Sequence, residues 1–358
     1  PTGQLDRAET PLTVVTAAHD NLSFLQDLSA AQDLRLRGCV VNVGTSSVEV
    51  RTDVLTVCPS SSSEQLLGSC FTVMVVRDVA NADRPAKVAV HPLLTLEEDR
   101  SAVGSLSSGP VVFDPAAAAQ RQRRRRQMGA MALSRKPPTA AEVPLLHELW
   151  RSRAQHPRVD IAATEQHAVD VMQPQHRNQN GFMFGGYVTR RALEVGWLAA
   201  YRCCRHPPSF GGVDDILFLK PVRVGSLLEY IGRVVYASAD GSMRVYVEAH
   251  TLDLRTGSRE QTNEFHIVFN ATQPVAVVDA ASSDAPLLTQ PMSATAVAAP
   301  PRGVGDGMVG AEARGPGAAP PLHPGMQPSS YEEAMLYLEG RRRWLAAFAF
   351  ASDAASKL

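Results

Sequence analysis

The stretch FLQDLSAAQDLRLRGCVVNV (Phe24–Val43) can be laid without a gap on FLKPVRVGSLLEYIGRVVYA (Phe218–Ala237). Six of these twenty positions are identical, among them Leu34/Leu228, Gly38/Gly232 and Val40-Val41/Val234-Val235. Chance would leave about one or two, so the chain contains a diverged internal repeat. With one residue inserted at the turn, Ser47-Val48-Glu49-Val50 continues onto Ser242-Met243-Arg244-Val245, and upstream Asp20 falls on Asp214. Each copy reads as strands rich in Val, Tyr, Thr and Phe, several with alternation. Strands are expected over 12–18, 34–43, 47–57 and 70–76 in the first copy. In the second they are expected over 213–218, 227–238, 243–252 and 261–269. The stretches Val43-Gly44-Thr45-Ser46-Ser47 and Ser238-Ala239-Asp240-Gly241-Ser242 supply hairpin turns, so both sheets should be antiparallel.

A largely apolar helix over 186–202 precedes the second copy's strands. Only eleven residues precede those of the first copy, too few for a matching helix, which is therefore expected upstream of Pro1. The segment 80–158 reads as a connector. It holds QRQRRRRQ (Gln120–Gln127), which suits either nucleic acid or, more simply, a solvated basic helix face. In Pro137–Trp150, Thr139 stands where a cap would, and Leu145, Leu146 and Leu149 share an apolar face. The Ala/Pro/Gly-rich segment 271–329 reads as a disordered linker, and 330–358 as a Ser-capped helix with a tail. GVGDGMVG (Gly303–Gly310) follows no strand and opens no helix, so its G-x-G-x-x-G spacing is not a dinucleotide site.

A formal net charge of −1 offers no global field for nucleic acid or an anionic membrane. No apolar run is long enough to span a bilayer. The five cysteines, Cys39, Cys58, Cys70, Cys203 and Cys204, form no Cys-x-x-Cys pair, which points to a reducing compartment. The ten histidines lack ligand spacing, and neither metal nor resident cofactor is expected. The chain finishes Ser356-Lys357-Leu358, a receptor-read peroxisomal address.

The chemistry concentrates in RNQNGFMFGGYVTRRALEVGW (Arg177–Trp197). A helix N-terminus exposes N–H groups and partial positive charge, and the pair Gly185-Gly186 lets a substrate approach that backbone closely. Such a start suits a carbonyl whose oxygen becomes negative in the transition state; tight helix–sheet packing explains the glycines equally well. Asn178 can reach the same spot from the preceding loop but cannot take a proton, so an acid is needed as base. Glu194 is the carboxylate inside the helix. No G-x-S-x-G elbow is present, which favours direct attack by water. Asp214 repeats in both copies, favouring a fold role.

Met172–Ala200, Val213–Tyr230, Thr262–Phe269, Leu34–Val54 and Tyr331–Arg343, taken in these roles, closely resemble the tandem hot-dog acyl-CoA thioesterases, the mitochondrial type above all. The resemblance implies an α+β fold of two hot-dog units, each an antiparallel sheet wrapped on a central helix. The first, over 1–79, lacks its helix in this chain, and the second, over 159–270, is complete. It implies hydrolysis of acyl-CoA to free CoA and a carboxylic acid, with coenzyme A present only as part of the substrate. Asn178, Gly185 and Gly186 would hold the carbonyl or the water. The family's acidic position falls on Leu193, so the base is expected from Glu194 or from upstream of Pro1. Arg177, Arg190 and Lys220 are candidates for the CoA phosphates. A homo-oligomer and a peroxisomal import receptor are the expected partners, with no nucleic acid and no membrane span. The resembling enzymes are often mitochondrial, so a mitochondrial location is the alternative. Two other readings stay open: a non-catalytic acyl-CoA binding or sensing module, motivated by Leu193, and a hot-dog enoyl-CoA hydratase, motivated by His176.

Overall fold

The two halves of the repeat meet edge to edge. The computed structural model describes residues 12–24, 33–57, 64–78, 81–85, 115–132, 136–156, 158–273 and 325–355. The first unit contributes β1 (Leu12–Phe24), β2 (Asp33–Val43), β3 (Ser47–Val57), β4 (Glu64–Asp78) and the short β5 (Asn81–Pro85). Helices α1 (Pro115–Met131) and α2 (Glu142–Arg151) lead to β6 (Val159–Asp160) and β7 (Gln166–Val171). The second unit continues with α3 (Gly185–Cys204), β8 (Ser209–Phe218), β9 (Leu227–Ala237), β10 (Ser242–Asp253) and β11 (Ser258–Asn270). After it come β12 (Met326–Gln327) and α4 (Tyr331–Ala355). The main sheet has ten strands, in the order β2-β3-β4-β1-β8-β11-β10-β9-β7, with β5 beside β4.

The seam is the antiparallel pairing of β1 with β8, in which His19 faces Ile216 and Leu22 faces Val213. The repeat that lays Phe24 on Phe218 lays His19 on Val213 and Leu22 on Ile216. Exchanging the units therefore returns the same pairing, and the seam carries a local pseudo-two-fold axis beside Asp20 and Asp215. Every strand expected from the sequence is present, half of them longer by four residues or more. Strands β5, β6, β7 and β12 were not expected. β5 lies in the segment read as a connector. β12 lies in the one read as a linker and pairs with β6, giving Ile161 N–H a partner at Gln327 O, 3.0 Å away. The rest of that linker over 274–324, Cys58 and Ser356-Lys357-Leu358 lie outside the described residues.

The second unit's core forms where α3 lies across the inner face of its sheet. Val188, Ala192, Val195, Ala199 and Cys203 recur at helical spacing and are buried against Tyr230, Val247, Phe265, Ile267 and Phe269. Burying each large side chain fully is worth roughly 1.5–3 kcal/mol. Small residues set the approach. A Cβ at Gly232 would stand 2.9 Å from Val195 Cγ1, and one at Gly196 would stand 3.2 Å from Ile267 Cδ1. The helix stops where Arg205 adopts φ 64° and returns its N–H to Tyr201 O at 2.7 Å.

In the first unit the repeated glycine has no such neighbour: a Cβ at Gly38 would meet only Val50 Cγ1, at 3.9 Å. Leu34, Leu36 and Val40 are 50%, 68% and 41% exposed, whereas their counterparts Leu228, Tyr230 and Val234 are each 0% exposed. Among the described residues, no helix lies on this inner face.

The outer faces are covered in both units. Helix α4 rests on β9, its Gly340 so close that a Cβ would stand 2.9 Å from Tyr236 Cβ. Beneath it, Asp214 pairs with Arg244, and Asp215 lies 3.8 Å from Arg343. The repeated aspartate thus serves the fold. In the first unit α1 takes the corresponding place, and its arginine run is more than a solvated face. Arg121 and Arg125 bind the buried Glu49 at 3.1 and 2.6 Å, and the Arg121 guanidinium lies 4.3 Å above the Phe71 ring. Burial pushes the Glu49 carboxyl up, but hydrogen bonds and charge from both arginines outweigh it and hold the carboxyl below its ordinary range.

Thr139 does not cap α2 in the expected way. The N-cap position is Ala141, with no side-chain bond. Instead the Thr139 N–H and hydroxyl both donate to Glu142 Oε2, at 2.8 and 3.0 Å. Ser330 does cap α4, its Oγ accepting the Glu333 N–H at 3.1 Å.

Candidate active site

The loop before α3 is built on Asn178. Its Oδ1 accepts the N–H groups of Asn180 and Phe182, at 2.9 and 3.1 Å, and its own N–H reaches Phe182 O at 2.6 Å. This Asx turn closes because Gly181 adopts φ +79°, a left-handed conformation that glycine takes without strain. Beyond it, Met183 N–H donates to Val222 O at 2.9 Å and Phe184 N–H to His176 O at 2.7 Å, fixing the chain's approach to the helix. The His176 ring stacks on Tyr187 at 3.9 Å. Since Oδ1 is occupied, the NH2 of Asn178 is the half left to face a ligand, and it is a donor only.

Helix α3 opens without a side-chain cap at Phe184. The first helical N–H groups with partners are those of Tyr187 and Val188, both on Phe184 O at 3.0 and 3.3 Å. Those of Gly185 and Gly186 make no hydrogen bond among the described residues. They stand at the positive end of a helix of 20 residues. Both glycines also lie close against aromatic rings. A Cβ on Gly185 would lie 3.0 Å from Phe218 Cε1, and one on Gly186 would lie 2.5 Å from Phe184 Cε1. Phe218 is held in β8, whereas the Phe184 ring is 58% exposed and covers the Gly186 backbone from outside. Close packing by itself therefore accounts for a glycine at 185, and the N–H groups of both glycines stay free of protein partners among the described residues.

The carboxylates of α3 and of β7 beside it are ion-paired. Glu194 binds Arg190 through Oε1 at 3.0 Å and Arg191 through Oε2. Arg191 also binds Asp170 of β7 at 2.6 Å, which raises the guanidinium's pKa. Each oxygen of Glu194 thus carries one guanidinium partner, so a proton arriving there would compete with two ion pairs. Leu193 is half-buried and packs against the core. Of the three proposed phosphate ligands, Arg190 is engaged with Glu194 and Lys220 with Glu260, while Arg177 is exposed and has no ion pair among the described residues.

Two groups near the helix start were missed from the sequence. Across the seam, the His19 ring meets Phe218 edge to face, with centroids 5.8 Å apart, and its Nδ1 lies 2.9 Å from Thr72 Oγ1. Burial lowers its pKa below the ordinary 6.5. A single histidine in an apolar strand carries no signal until the strand's neighbour is known. The other is Thr189, one turn beyond Gly185, whose Oγ1 is buried with no partner. At the far end of α3, burial pushes the Cys203 and Cys204 thiols up, as suits core residues rather than nucleophiles.

Residues 180–258 match the family described as Thioesterase superfamily. The chain is 30% identical over 285 residues to Acyl-coenzyme A thioesterase 9, mitochondrial, of Bos taurus, an alignment covering 75% of this chain and 61% of that protein. To the Homo sapiens protein of the same name it is 28% identical over 287 residues, covering 75% and 60%. Among solved structures, an acyl-CoA hydrolase of Staphylococcus aureus aligns with a TM-score of 0.40 and 19% identity, over 56% of this chain and 96% of that one. The chain thus spans 61% of the length of the bovine relative. With its antiparallel sheet wrapped on a glycine-initiated helix, the chain carries a hot-dog domain of the thioesterase superfamily and is homologous to the mitochondrial acyl-CoA thioesterases.

Proposed function

We propose that the protein hydrolyses acyl-CoA to free CoA and a carboxylic acid. The observation that carries this reading is the pair of unpartnered N–H groups at Gly185 and Gly186, with the Asn178 amide fixed as a donor in the loop that leads to them. The thioester oxygen would accept from the glycine N–H groups, which are preorganised for the charge it gains in the transition state. The Asn178 NH2 would hold the attacking water or the carbonyl. Water adds to the carbonyl carbon, and the tetrahedral intermediate collapses with loss of the CoA thiolate. No acyl-enzyme is needed. Arg177 is the best placed of the three basic candidates for a CoA phosphate, since Arg190 and Lys220 would have to leave Glu194 and Glu260.

The names of the relatives support the substrate class, and those of the animal relatives cited place them in mitochondria. Against this stands Ser356-Lys357-Leu358, which we propose as a peroxisomal address. Imaging with and without Leu358 decides, and unchanged localisation removes the address.

The activity is tested by detecting released thiol over a panel of acyl-CoA chain lengths. Absence of turnover on every chain length by the folded protein overturns the reading, and tight binding without turnover would favour a sensing module. Asn178→Ala should lower kcat by about 10²–10³ if the amide orients the reacting group. An unchanged kcat removes Asn178 from the mechanism.

A further inference from the structure

The chain that leads into α3 is the middle segment of a small ribbon. Arg177 pairs with Met183, and Phe182 with Arg223, each as an antiparallel bridge. The ribbon is tied to the site: Asn178 Oδ1 accepts the Phe182 N–H at 3.1 Å, and Val222 O accepts the Met183 N–H at 2.9 Å. We infer that Arg223 binds the diphosphate of coenzyme A, while Phe182 and Phe184 carry the pantetheine arm towards the N–H groups of Gly185 and Gly186. This rests on the acyl-CoA reading above and adds a guanidinium beyond Arg177, Arg190 and Lys220.

Side chains of directly paired residues stand on one face of such a ribbon, and successive residues alternate between faces. Met183 is buried, so its face is the inner one. Phe182 and Phe184 therefore share the outer face, and Arg223 shares it with them through its pairing with Phe182. Phe184 is exposed and stands against the helix start: a Cβ on Gly186 would lie 2.5 Å from its Cε1. One face thus carries, in order, a guanidinium, two phenyl rings and the N–H groups of the glycine pair. Arg177 is set on the other face by its pairing with Met183.

Arg223 is exposed and has no ion pair among the described residues, whereas Lys220, three residues before it, is engaged with Glu260. Its backbone is fixed, because Arg223 O accepts both the N–H and the hydroxyl of Ser226, at 3.3 and 2.7 Å. Gly225 completes that turn at φ +82° and donates its N–H to Met172 O at 2.7 Å. A guanidinium on a rigid turn suits a diphosphate, whose oxygens accept its parallel N–H bonds. The phenyl rings suit the arm, which offers methyl and methylene groups between its amides. The order of groups along the face matches the order in the ligand: diphosphate, arm, thioester.

The test combines calorimetry with coenzyme A and dephospho-CoA and turnover of acyl-CoA and acyl-pantetheine, for wild type and Arg223→Gln. The variant should bind coenzyme A about 10- to 100-fold more weakly. The loss should be as large with dephospho-CoA, which keeps the diphosphate and lacks the 3′-phosphate. In turnover, KM for acyl-CoA should rise by the same factor with kcat within about threefold, while kcat/KM for acyl-pantetheine stays within about twofold. Phe182→Ala should instead weaken both substrates. Unchanged coenzyme A binding by Arg223→Gln, an equal loss with acyl-pantetheine, or a loss that disappears with dephospho-CoA overturns the assignment while the hydrolase reading stands. A folded wild type that binds coenzyme A through Arg223 but hydrolyses no acyl-CoA overturns the hydrolase reading and upholds this one. A folded wild type that does neither overturns both.

Discussion

Glu142→Gln is expected to destabilise the protein by roughly 3 kcal/mol near neutral pH, although the substitution barely changes shape. Glu142 and Arg342 lie 200 residues apart and join α2 to α4 through two hydrogen bonds of 2.7 Å. Their side chains are 11% and 8% exposed, so solvent screens the pair little. The Arg342 hydrogen bonds, aided by those from Thr139, hold the Glu142 carboxyl at about 2 against an ordinary 4.5. Each unit of pKa difference corresponds to about 1.36 kcal/mol, which gives the figure above. The folded value lies below the unfolded one. The stabilisation is therefore fully present above pH 4.5 and is lost as pH falls towards 2, because the unfolded chain takes up the proton first. Urea unfolding of both proteins at pH 7 and pH 3 should show a gap that narrows markedly at the lower pH. A gap below about 1 kcal/mol at pH 7, or one that stays the same at pH 3, would refute the argument. Replacing both partners, as in Glu142→Leu with Arg342→Met, should cost less than Glu142→Gln alone, since no buried charge is then left unpaired.

Two further outcomes follow from residues around α3. Glu194→Gln should leave kcat within about twofold, because a carboxylate bound by two arginines contributes no general base; a loss of about a hundredfold in the thiol-release assay would return it to the mechanism. Tyr230→Phe should leave stability unchanged or raise it by up to about 1 kcal/mol, because the Tyr230 hydroxyl is buried without a partner. Thermal unfolding checks this, and a clear fall in Tm would reveal a hydrogen bond to that hydroxyl.

The fold was legible because its signals are local. Alternating Val and Thr residues, a turn at Asp240-Gly241 and a gap-free repeat read directly as paired strands. The Gly185-Gly186 helix start was equally plain, since a residue without a Cβ marks close approach wherever it stands. The site was legible only in part. Asn178 could be named, but its carbonyl oxygen is spent on the loop, and only the folded loop shows which half of the amide remains. Glu194 could be named as the helix's carboxylate, but only the structure shows Arg190 and Arg191 on its two oxygens.

By itself, the sequence determined the two-unit plan, the strand periodicity and the glycine-opened helix, because each depends on residues close together along the chain. The tertiary structure alone decided which charges are spent and which groups meet. Strand β1 had to lie beside β8 before His19 and Phe218 could touch, and α1 had to cover β3 before the arginine run found Glu49. Charge and proton affinity depend on neighbours in space, and a neighbour such as Arg342 of Glu142 comes from 200 residues away.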